Sequence, residues 1–241
     1  MNDVKSARRV LEILRFFAET KEPASLARIA TALTIPKSSC LALMETLVAE
    51  GYAYTVEGRY YPTSRWKREA DCIAGNDRLL ERCRPALQAL CDELGETALL
   101  VQRAGSRVVC LDVIEADHLL RFSAYPGQQR PLHASAAGRA LLDALPDDEL
   151  ERVASSLEYA VYTDATPADA QALVRAVRSG RRRGWHVNLG EHQRGTISVA
   201  VPLVMDGNVL ALVVGAPTER LRGRIEVAAL ALQRAAARIR G

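Results

Sequence analysis

Two segments with helical spacing of apolar residues meet at a very short break, and this break limits the fold of the first 60 residues more than any other feature. The first segment places Leu26, Ile29 and Leu33 on one face, and Ser25 before it is a typical N-cap. The second segment opens at Pro36, whose missing N–H is not needed in a first helical turn. Helices joined by so short a turn are typical of a helix-turn-helix.

The flanking segments extend this pair into a winged helix-turn-helix. Residues 4–17 repeat apolar side chains every three or four positions, which predicts an amphipathic helix before the pair. Gly51 ends the last helix, and the sequence YAYTVEGRYYPT then alternates aromatic and β-branched residues around a Glu57–Gly58 turn. This predicts a two-stranded hairpin. Groove docking on DNA is the favoured function, and a small helical domain that binds protein is the alternative.

The distribution of charge favours a polyanionic partner for this module. The chain has 241 residues and a formal net charge of +3. All four lysines (Lys5, Lys21, Lys37 and Lys67) and all of the positive excess lie in the first 68 residues. Such an asymmetry favours nucleic-acid binding, although an ordinary solvated surface can carry the same excess.

The last helix of the module offers few side chains that can read a base. A bidentate guanine contact needs arginine or lysine, but the outward positions hold Leu41 and Ala42. In one interpretation these two residues contact thymine methyl groups while Lys37 and two serines hold phosphates. In the other, Arg28 and Arg59 on neighbouring elements make much of the contact. The candidate DNA contacts are therefore Arg28, Lys37, Ser38, Ser39, Leu41, Ala42 and Arg59.

The rest of the chain predicts a linker and a larger second domain. We expect the winged helix-turn-helix to span residues 1–63, a short charged linker helix to span 64–76, and the second domain to span 77–241. In the second domain the patterns predict a helix from about Asp77 to Leu94, strands at 98–103, 107–114 and 119–123, three helical segments within 135–184, a hairpin within 196–216 and a final helix from about Thr218. Because strands and helices do not alternate regularly, the predicted class is α+β with an antiparallel sheet.

The sequence carries no recognisable motif of an enzyme or of a metal site. It has no Walker loop, dinucleotide fingerprint, Gly-x-Ser-x-Gly elbow or His-x-x-x-His pair. His133 lies near Ser135, but we expect Ser135 to cap a helix and His133 to make local contacts. His186, Glu191 and His192 could gather around a metal, and a solvated loop is the expected alternative. The prediction is therefore no catalysis, no cofactor and no metal.

Cysteine usage and hydropathy point to the cytoplasm. The five cysteines stand singly and are odd in number, which predicts reduced thiols packed as small apolar groups. No uncharged apolar stretch reaches 18 residues, and the first ten residues, MNDVKSARRV, lack the apolar run of a secretory signal. We expect a cytoplasmic protein without membrane contact.

Several segments together resemble the IclR family of bacterial transcriptional regulators. They are ARRVLEILRFF, SLARIATALTIPKSS and GRYYPT in the first module, and PLHASAAGRALLDALPDDEL, RRRGWHVNLGEHQRGTISVAVPLV and ALVVGAP in the second domain. Their order and spacing cover nearly the whole chain. The resemblance implies a winged helix-turn-helix, a linker helix and a GAF-like effector-binding domain with an antiparallel sheet flanked by helices. It also implies a homodimer or homotetramer on a palindromic double-stranded DNA operator.

The resemblance further implies an effector pocket between a helix start and the last sheet strands. The positions that match the family's pocket are Leu119, Phe122, Arg130, Ala136, Ala137, Asn188, Thr196, Ser198, Leu212 and Val214. Amide groups at a helix start favour an anion, so a small carboxylate or an aromatic acid is the expected effector. The alternative is a small-molecule sensor whose first domain binds protein.

Five positions depart from the family pattern. Thr34 stands where the family usually has a turn glycine, and a β-branched residue there would be strained in the left-handed conformation. Ala42 replaces a common arginine. Leu212 and Val214 replace hydroxyl residues and would disfavour a very small polar acid. Arg130 replaces an apolar residue, and either lies exposed on a loop or grips an effector carboxylate.

Overall fold

The computed structural model describes residues 4–75 and 77–240, and the chain divides into two compact units between Asp77 and Arg78. The parts of the predicted ranges at residues 1–3, 76 and 241 lie outside the described residues. Each unit has a hydrophobic core of its own.

The first unit contains four helices and a three-stranded antiparallel sheet in the order β1-β3-β2. The elements are α1 (Lys5–Thr20), β1 (Ala24–Ser25), α2 (Leu26–Ala32), α3 (Lys37–Ala49), β2 (Ala53–Val56), β3 (Arg59–Pro62) and α4 (Arg65–Ala74). The Ser25 side chain accepts a hydrogen bond from the Arg28 amide and so caps α2, and Pro36 is the N-cap residue of α3. Ile13, Ile29 and Met44 are buried together in the core. These elements form the predicted winged helix-turn-helix.

Two turns in this unit use left-handed backbone. Glu57 (φ 49°) and Gly58 (φ 72°) join β2 to β3, as the hairpin pattern predicts. Thr34 has φ 54°, so the turn between α2 and α3 keeps the left-handed conformation although its residue is β-branched. Such a conformation costs a threonine more than a glycine because its Cβ approaches the backbone.

The second unit is a six-stranded antiparallel sheet with helices on both faces. Its helices are α5 (Arg78–Leu94), α6 (Ala136–Asp143), α7 (Asp147–Ser155), α8 (Ala170–Arg183), α9 (Thr218–Leu221) and α10 (Ile225–Arg240), with a 3-10 turn at Arg222–Arg224. Its strands are β4 (Thr97–Ala104), β5 (Arg107–Ile114), β6 (Gln129–Pro131), β7 (His186–Leu189), β8 (Thr196–Met205) and β9 (Asn208–Pro217), in the spatial order β6-β5-β4-β9-β8-β7. The fold is α+β in class, as predicted.

Alternating residues of the central strands build two separate cores. On the first face, Ile197, Val199, Leu212 and Val214 pack with residues of α5 and α10. On the second face, Ala200, Ala211 and Val213 pack with residues of α6, α7 and α8. The pairing of Val199 with Val214 and of Ala200 with Val213 fixes this division, because neighbouring residues of a strand point to opposite sides.

One strand prediction is wrong, and two short strands were not predicted. The segment 119–123, predicted as a strand, is irregular. The outer partner of β5 is instead β6, which begins ten residues after the start of the predicted strand. The short strand β7 at the other edge of the sheet was not predicted either. Both edge strands are three or four residues long, too short for a clear alternating pattern.

Four cysteines behave as small buried groups, namely Cys40, Cys83, Cys91 and Cys110, whereas Cys72 on α4 is exposed. Within residues 4–75 and 77–240, no single helix has the length and apolar character to cross a membrane, and the bent pair of α2 and α3 passes that test only when its two helices are joined.

Candidate DNA surface and effector cavity

Helix α3 turns its apolar stripe inward and a short polar and apolar stripe outward. Cys40, Met44 and Leu47 are buried in the first core. Lys37, Ser38, Leu41 and Ala42 are exposed, and Ser39 is half-buried. The outward stripe lacks an arginine, so direct readout of guanine by this helix is limited to Lys37.

Arg28 and Arg59 lie exposed on α2 and on the hairpin. Arg28 Nη1 is 3.2 Å from Glu22 Oε2, and both side chains are open to solvent. A salt bridge of this kind contributes little to stability, so Arg28 can exchange Glu22 for a phosphate at low cost. Arg59 follows Gly58 at the tip of the wing. Both arginines are therefore available to a polyanion.

A small cavity lies on the second face of the sheet, between that face and the start of α6. Its volume is about 40 Å³. Most of the lining is apolar, and the lining residues are Leu99, Val101, Val108, Cys110, Phe122, Gln128, Arg130, Ser135, Ala137, Ser198 and Val213. A volume of this size admits water but not an organic acid, which needs several hundred Å³. A ligand can enter only if the lining moves.

Among the described residues that line the cavity, Arg130 is the only cation. Its Cζ atom lies 4.8 Å from the centroid of the Phe122 ring, and Nη1 lies 3.4 Å from His192 Nδ1. Within the described part of the chain it has no carboxylate partner at salt-bridge distance, unlike the buried Arg139, which pairs with Glu191. Burial lowers the pKa of Arg130. The guanidinium is therefore a partly desolvated charge held by an aromatic face and an imidazole.

The start of α6 supplies further donors at the cavity wall. Ser135 Oγ accepts a hydrogen bond from the Gly138 amide and donates one to the Pro131 carbonyl, each at 3.0 Å. The amides of Ala136 and Ala137 stand in the first turn, where no intrahelical acceptor exists. Such amides, together with the helix dipole, favour a negative group.

Gln128 adds an unsatisfied acceptor to the lining. Its Oε1 atom is buried and has no hydrogen-bond partner among the described residues. A buried acceptor without a donor is costly, so a ligand hydroxyl or a water at this point would be stabilised.

Phe122 closes the cavity by lying against Gly215. A Cβ atom built on Gly215 would meet Phe122 ring atoms at 2.7 Å. The Thr97 hydroxyl donates to the Phe122 carbonyl at 2.6 Å and fixes the backbone beside the ring. Only a glycine lets the ring lie this close to the strand.

Comparison with known proteins identifies the family. The sequence model of the bacterial transcriptional regulator IclR C-terminal domain matches residues 73–239, and that of the IclR helix-turn-helix domain matches residues 6–57. The chain belongs to the IclR family. It is a transcriptional regulator with an N-terminal helix-turn-helix DNA-binding domain and a C-terminal effector-binding domain.

Individual relatives agree with this assignment. The chain is 32% identical to the probable transcriptional regulator SauR of Cupriavidus necator over 225 residues, which cover 90% of this chain and 87% of that protein. The crystal structure of an IclR regulator from Alicyclobacillus acidocaldarius is 26% identical, has a TM-score of 0.79 and covers 99% of this chain and 98% of that one. An IclR homologue of Microbacterium hydrocarbonoxydans, crystallised with 4-hydroxybenzoate, is 22% identical, with a TM-score of 0.79 and 98% coverage of both chains. This last likeness concerns the fold.

Not all residues at the IclR-family pocket positions reach the cavity in this chain. Phe122, Arg130, Ala137 and Ser198 line it. Ala136 is buried at the start of α6, next to the lining residue Ala137. Arg130 is half-buried beside Phe122 and is therefore not the exposed loop arginine of the first interpretation.

Leu212 and Val214, which were predicted in the pocket, do not line this cavity. Both pack into the core on the first face, whereas the cavity wall is formed by Val213 between them. An error of one residue along a strand moves a side chain to the opposite face of the sheet. The inference that these two residues exclude a small polar acid therefore loses its basis.

Three other predicted pocket residues do not line the cavity. Leu119 is fully exposed, at 106% of its reference area, in the irregular segment before Phe122. Asn188 is buried, but its amide donates to the Ala134 carbonyl at 2.7 Å and its oxygen accepts from two loop amides. Thr196 donates to the Gln193 carbonyl at 2.8 Å. Asn188 and Thr196 position the loop that follows β7.

The residues considered for metal binding or catalysis have separate structural partners. His186 Nε2 lies 3.0 Å from Asp143 Oδ2, Glu191 pairs with Arg139, and His192 contacts Arg130. His133 Nε2 contacts the Ala160 carbonyl at 3.0 Å. Within residues 4–75 and 77–240, no group of three or more potential metal ligands comes together.

Sequence reasoning missed Gln128, Val213 and Gly215. Val213 lies between the predicted residues Leu212 and Val214 but points to the opposite face of the sheet. Gly215 has no side chain and therefore suggested no contact with a ligand. The sequence did offer one signal, the glycine within the apolar strand β9, because a glycine in a buried strand often marks the close approach of another group.

Proposed function

We propose that the cavity on the second face binds a small carboxylate with an apolar or aromatic body, and that this effector controls operator binding by the first unit. The observation that carries the proposal is Arg130, a half-buried cation in an apolar lining without a carboxylate partner among the described residues. An arginine of this kind is suited to a bidentate contact with an incoming carboxylate.

The other lining groups favour the same ligand class. The apolar residues Leu99, Val101 and Val213 surround the space that an apolar body would take. The backbone amides at the start of α6 would stabilise the negative charge of a bound carboxylate. The IclR homologue that was crystallised with 4-hydroxybenzoate shares the fold of this chain, and its ligand is an aromatic acid. We therefore propose benzoate-like acids as the first ligands to examine.

Binding requires the cavity to expand, and Phe122 is the residue we propose to move. It belongs to the irregular segment between β5 and β6, so its displacement breaks no strand pairing. Its departure from Gly215 would open the space above the sheet and leave Arg130 free to pair with the ligand.

Calorimetry on wild type and Arg130→Ala tests the effector site. The titrants are benzoate, 4-hydroxybenzoate and a series of short aliphatic acids. We expect removal of the Arg130 guanidinium to weaken carboxylate binding about 10- to 100-fold, since a charge-assisted hydrogen bond contributes about 1.5–3 kcal/mol. The exposed Arg175 on α8 provides the control, because Arg175→Ala removes the same charge from the same unit. Equal affinities of wild type and Arg130→Ala for every acid that binds would remove Arg130 from the site.

We also propose that Arg28 and Arg59 contact DNA phosphates or bases, supported by Lys37, Ser38 and Ser39. Each phosphate that is no longer neutralised by a cation reduces the slope of log affinity against log salt by about 0.9. The Arg28→Ala/Arg59→Ala double variant is therefore expected to bind the intergenic DNA upstream of its own gene more weakly and with a slope smaller by about 2. An unchanged affinity and slope would contradict the assignment.

Leu41 and Ala42 are the proposed contacts to thymine methyl groups. Leu41→Ala tests this proposal, and we expect the variant to lose part of the preference for A·T pairs.

The proposed assembly follows from the way helix-turn-helix units read DNA. A two-fold symmetric dimer places two recognition helices in successive major grooves, which requires a palindromic site. We propose a cytoplasmic homodimer or homotetramer. Effector binding can change DNA affinity only if it favours one arrangement of the two DNA-binding units over another.

A further inference from the structure

The contact between Arg130 and His192 fixes the protonation state of the histidine. A guanidinium is always a donor and never an acceptor, so the His192 Nδ1 atom 3.4 Å away must carry a lone pair. The imidazole proton then lies on Nε2, and the ring is neutral. A proton on Nδ1 would remove the acceptor and bring a second positive charge against the guanidinium.

His192 is held at this position by buried contacts of its own loop. Arg139 on α6 is 3% exposed and pairs with Glu191, the residue before His192, at 2.5 Å. The hydroxyl of Thr163 donates to the Gly190 carbonyl, and that of Thr166 donates to the Glu191 carbonyl at 2.6 Å. The loop that carries His192 is thus bound to α6 and to the segment before α8, and this holds the His192 backbone close to Arg130.

The groups that face His192 give it no negative partner among the described residues. Arg130 faces it from β6, His133 from the turn before α6, and Tyr162 from the segment between α7 and α8. The ring centroids of Tyr162 and His192 are 4.7 Å apart. The Glu191 carboxylate is turned toward Arg139. Burial and the neighbouring Arg130 and His133 lower the pKa of His192.

We propose that Arg130 and His192 form a proton-linked anion receptor, in which His192 gains a proton when an anion binds Arg130. This inference rests on the proposed effector site. A bound carboxylate neutralises the guanidinium, draws it away from Nδ1 and places a negative charge beside the imidazole. All three changes favour the imidazolium, which then becomes a second cation against the ligand.

The sign of the pH dependence follows from this coupling. If the His192 pKa is higher with anion bound than without it, binding takes up a proton. Anion affinity is then greatest below the pKa of the free receptor and falls as pH rises through the pKa of the complex. A carboxylate ligand with an ordinary pKa of about 4 stays ionised between pH values of about 5.5 and about 7.5, so its own titration does not contribute there.

The direct test is an NMR pH titration of the full chain with 13C-labelled histidines. His192→Gln assigns the His192 signal. In the unliganded protein we expect Arg130→Gln to raise the His192 midpoint by about one pH unit, a roughly tenfold gain in proton affinity. The control Arg103→Gln removes a cation near the end of β4 and should leave the His192 midpoint unchanged. Sodium benzoate at saturation should raise the midpoint in wild type but not in Arg130→Gln.

Calorimetry with benzoate supplies a second measurement that does not need the arginine variant. Wild type should bind benzoate severalfold more tightly at about pH 5.5 than at about pH 7.5, and His192→Gln, whose amide can still accept from Arg130, should bind equally at both. Unchanged His192 midpoints in Arg130→Gln would overturn the coupling. Benzoate binding that depends on Arg130 but not on pH would overturn the coupling while leaving the effector site intact. Failure of every acid to bind would instead count against the proposed effector class.

Discussion

The two faces of the larger sheet carry very different side chains although both sets alternate along the same two strands. On the first face β8 and β9 present Ile197, Val199, Leu212 and Val214, which fill the space against α5 and α10. On the second face the same strands present Ser198, Ala200, Ala211, Val213 and Gly215. The large residues build a packed core, whereas the smaller ones leave room for α6, for the Phe122 ring and for a cavity.

Polar and charged groups are also distributed unequally between the two faces near the centre of the sheet. The side chains of β8 and β9 that pack on the first face are apolar. The second face meets Arg130, Gln128, His186 and the buried Arg139, each with a specific neighbour or an unsatisfied atom. We therefore propose that effector recognition belongs to the second face alone, and this division can be tested by substitution and by pH.

The neighbouring valines of β9 permit a matched test with the strongest expected effect. Val214→Ala on the first face should lower the free energy of unfolding by about 3 kcal/mol, from about 0.8 kcal/mol per deleted methyl group and a cavity term. It should leave benzoate affinity unchanged. Val213→Ala removes the same atoms beside an existing cavity, so a smaller decrease in stability and an altered benzoate affinity are expected. Denaturant unfolding and calorimetry measure both quantities, and a reversed pattern would refute the division of the two faces.

Gly215→Ala tests the closing contact of Phe122. The new methyl group would meet the ring at 2.7 Å, and overpacking of this kind costs about 1–3 kcal/mol. We expect the free energy of unfolding, measured in denaturant, to fall by about 2 kcal/mol, and we expect Gly215→Ala to cost much less when it is made in the Phe122→Ala background. The control Ala211→Gly changes a small residue elsewhere on the second face without touching Phe122. If Gly215→Ala costs as much in the Phe122→Ala background as in wild type, the ring does not rest on the glycine.

The buried His186 and the half-buried His192 predict a modest dependence of stability on pH. Burial lowers the pKa of His186, and the same cause together with Arg130 lowers that of His192. A histidine whose pKa is lower in the folded state binds fewer protons there than in the unfolded chain, so stability falls as pH drops below about 6.5. We expect denaturant unfolding to show a decrease of about 1 kcal/mol between about pH 7.5 and about pH 5.5. His192→Gln should remove part of it, and a stability that rises on acidification would contradict the burial of neutral histidines.

Much of the first unit could be predicted from the sequence because its signals are local. The N-cap at Ser25, the break at Pro36 and the Glu57–Gly58 turn each act within a few residues. The backbone of Thr34 was left open, because the family resemblance implied a left-handed turn whereas a β-branched residue favours a reshaped one, and the structure keeps the left-handed turn. Local rules of this kind do not depend on distant contacts.

The cavity was only partly predictable because it depends on strand parity and on the path of a loop. The family resemblance places Leu212 and Val214 in the pocket, but both pack on the first face, and Val213 between them lines the cavity. The segment around Leu119 has apolar residues like a strand, but it forms an irregular connection in which Phe122 is anchored. Neither feature is determined by the residues of one segment alone. Arg130, by contrast, could be singled out because the matching position of the family is commonly apolar.

A crystal structure of the full chain with benzoate bound would show the effector site itself. We expect ligand density on the second face, with the carboxylate contacting the Arg130 guanidinium and the amides of Ala136 and Ala137, and with the Phe122 ring displaced from Gly215. Benzoate density elsewhere, with Arg130 still against Phe122 and His192, would contradict the proposal.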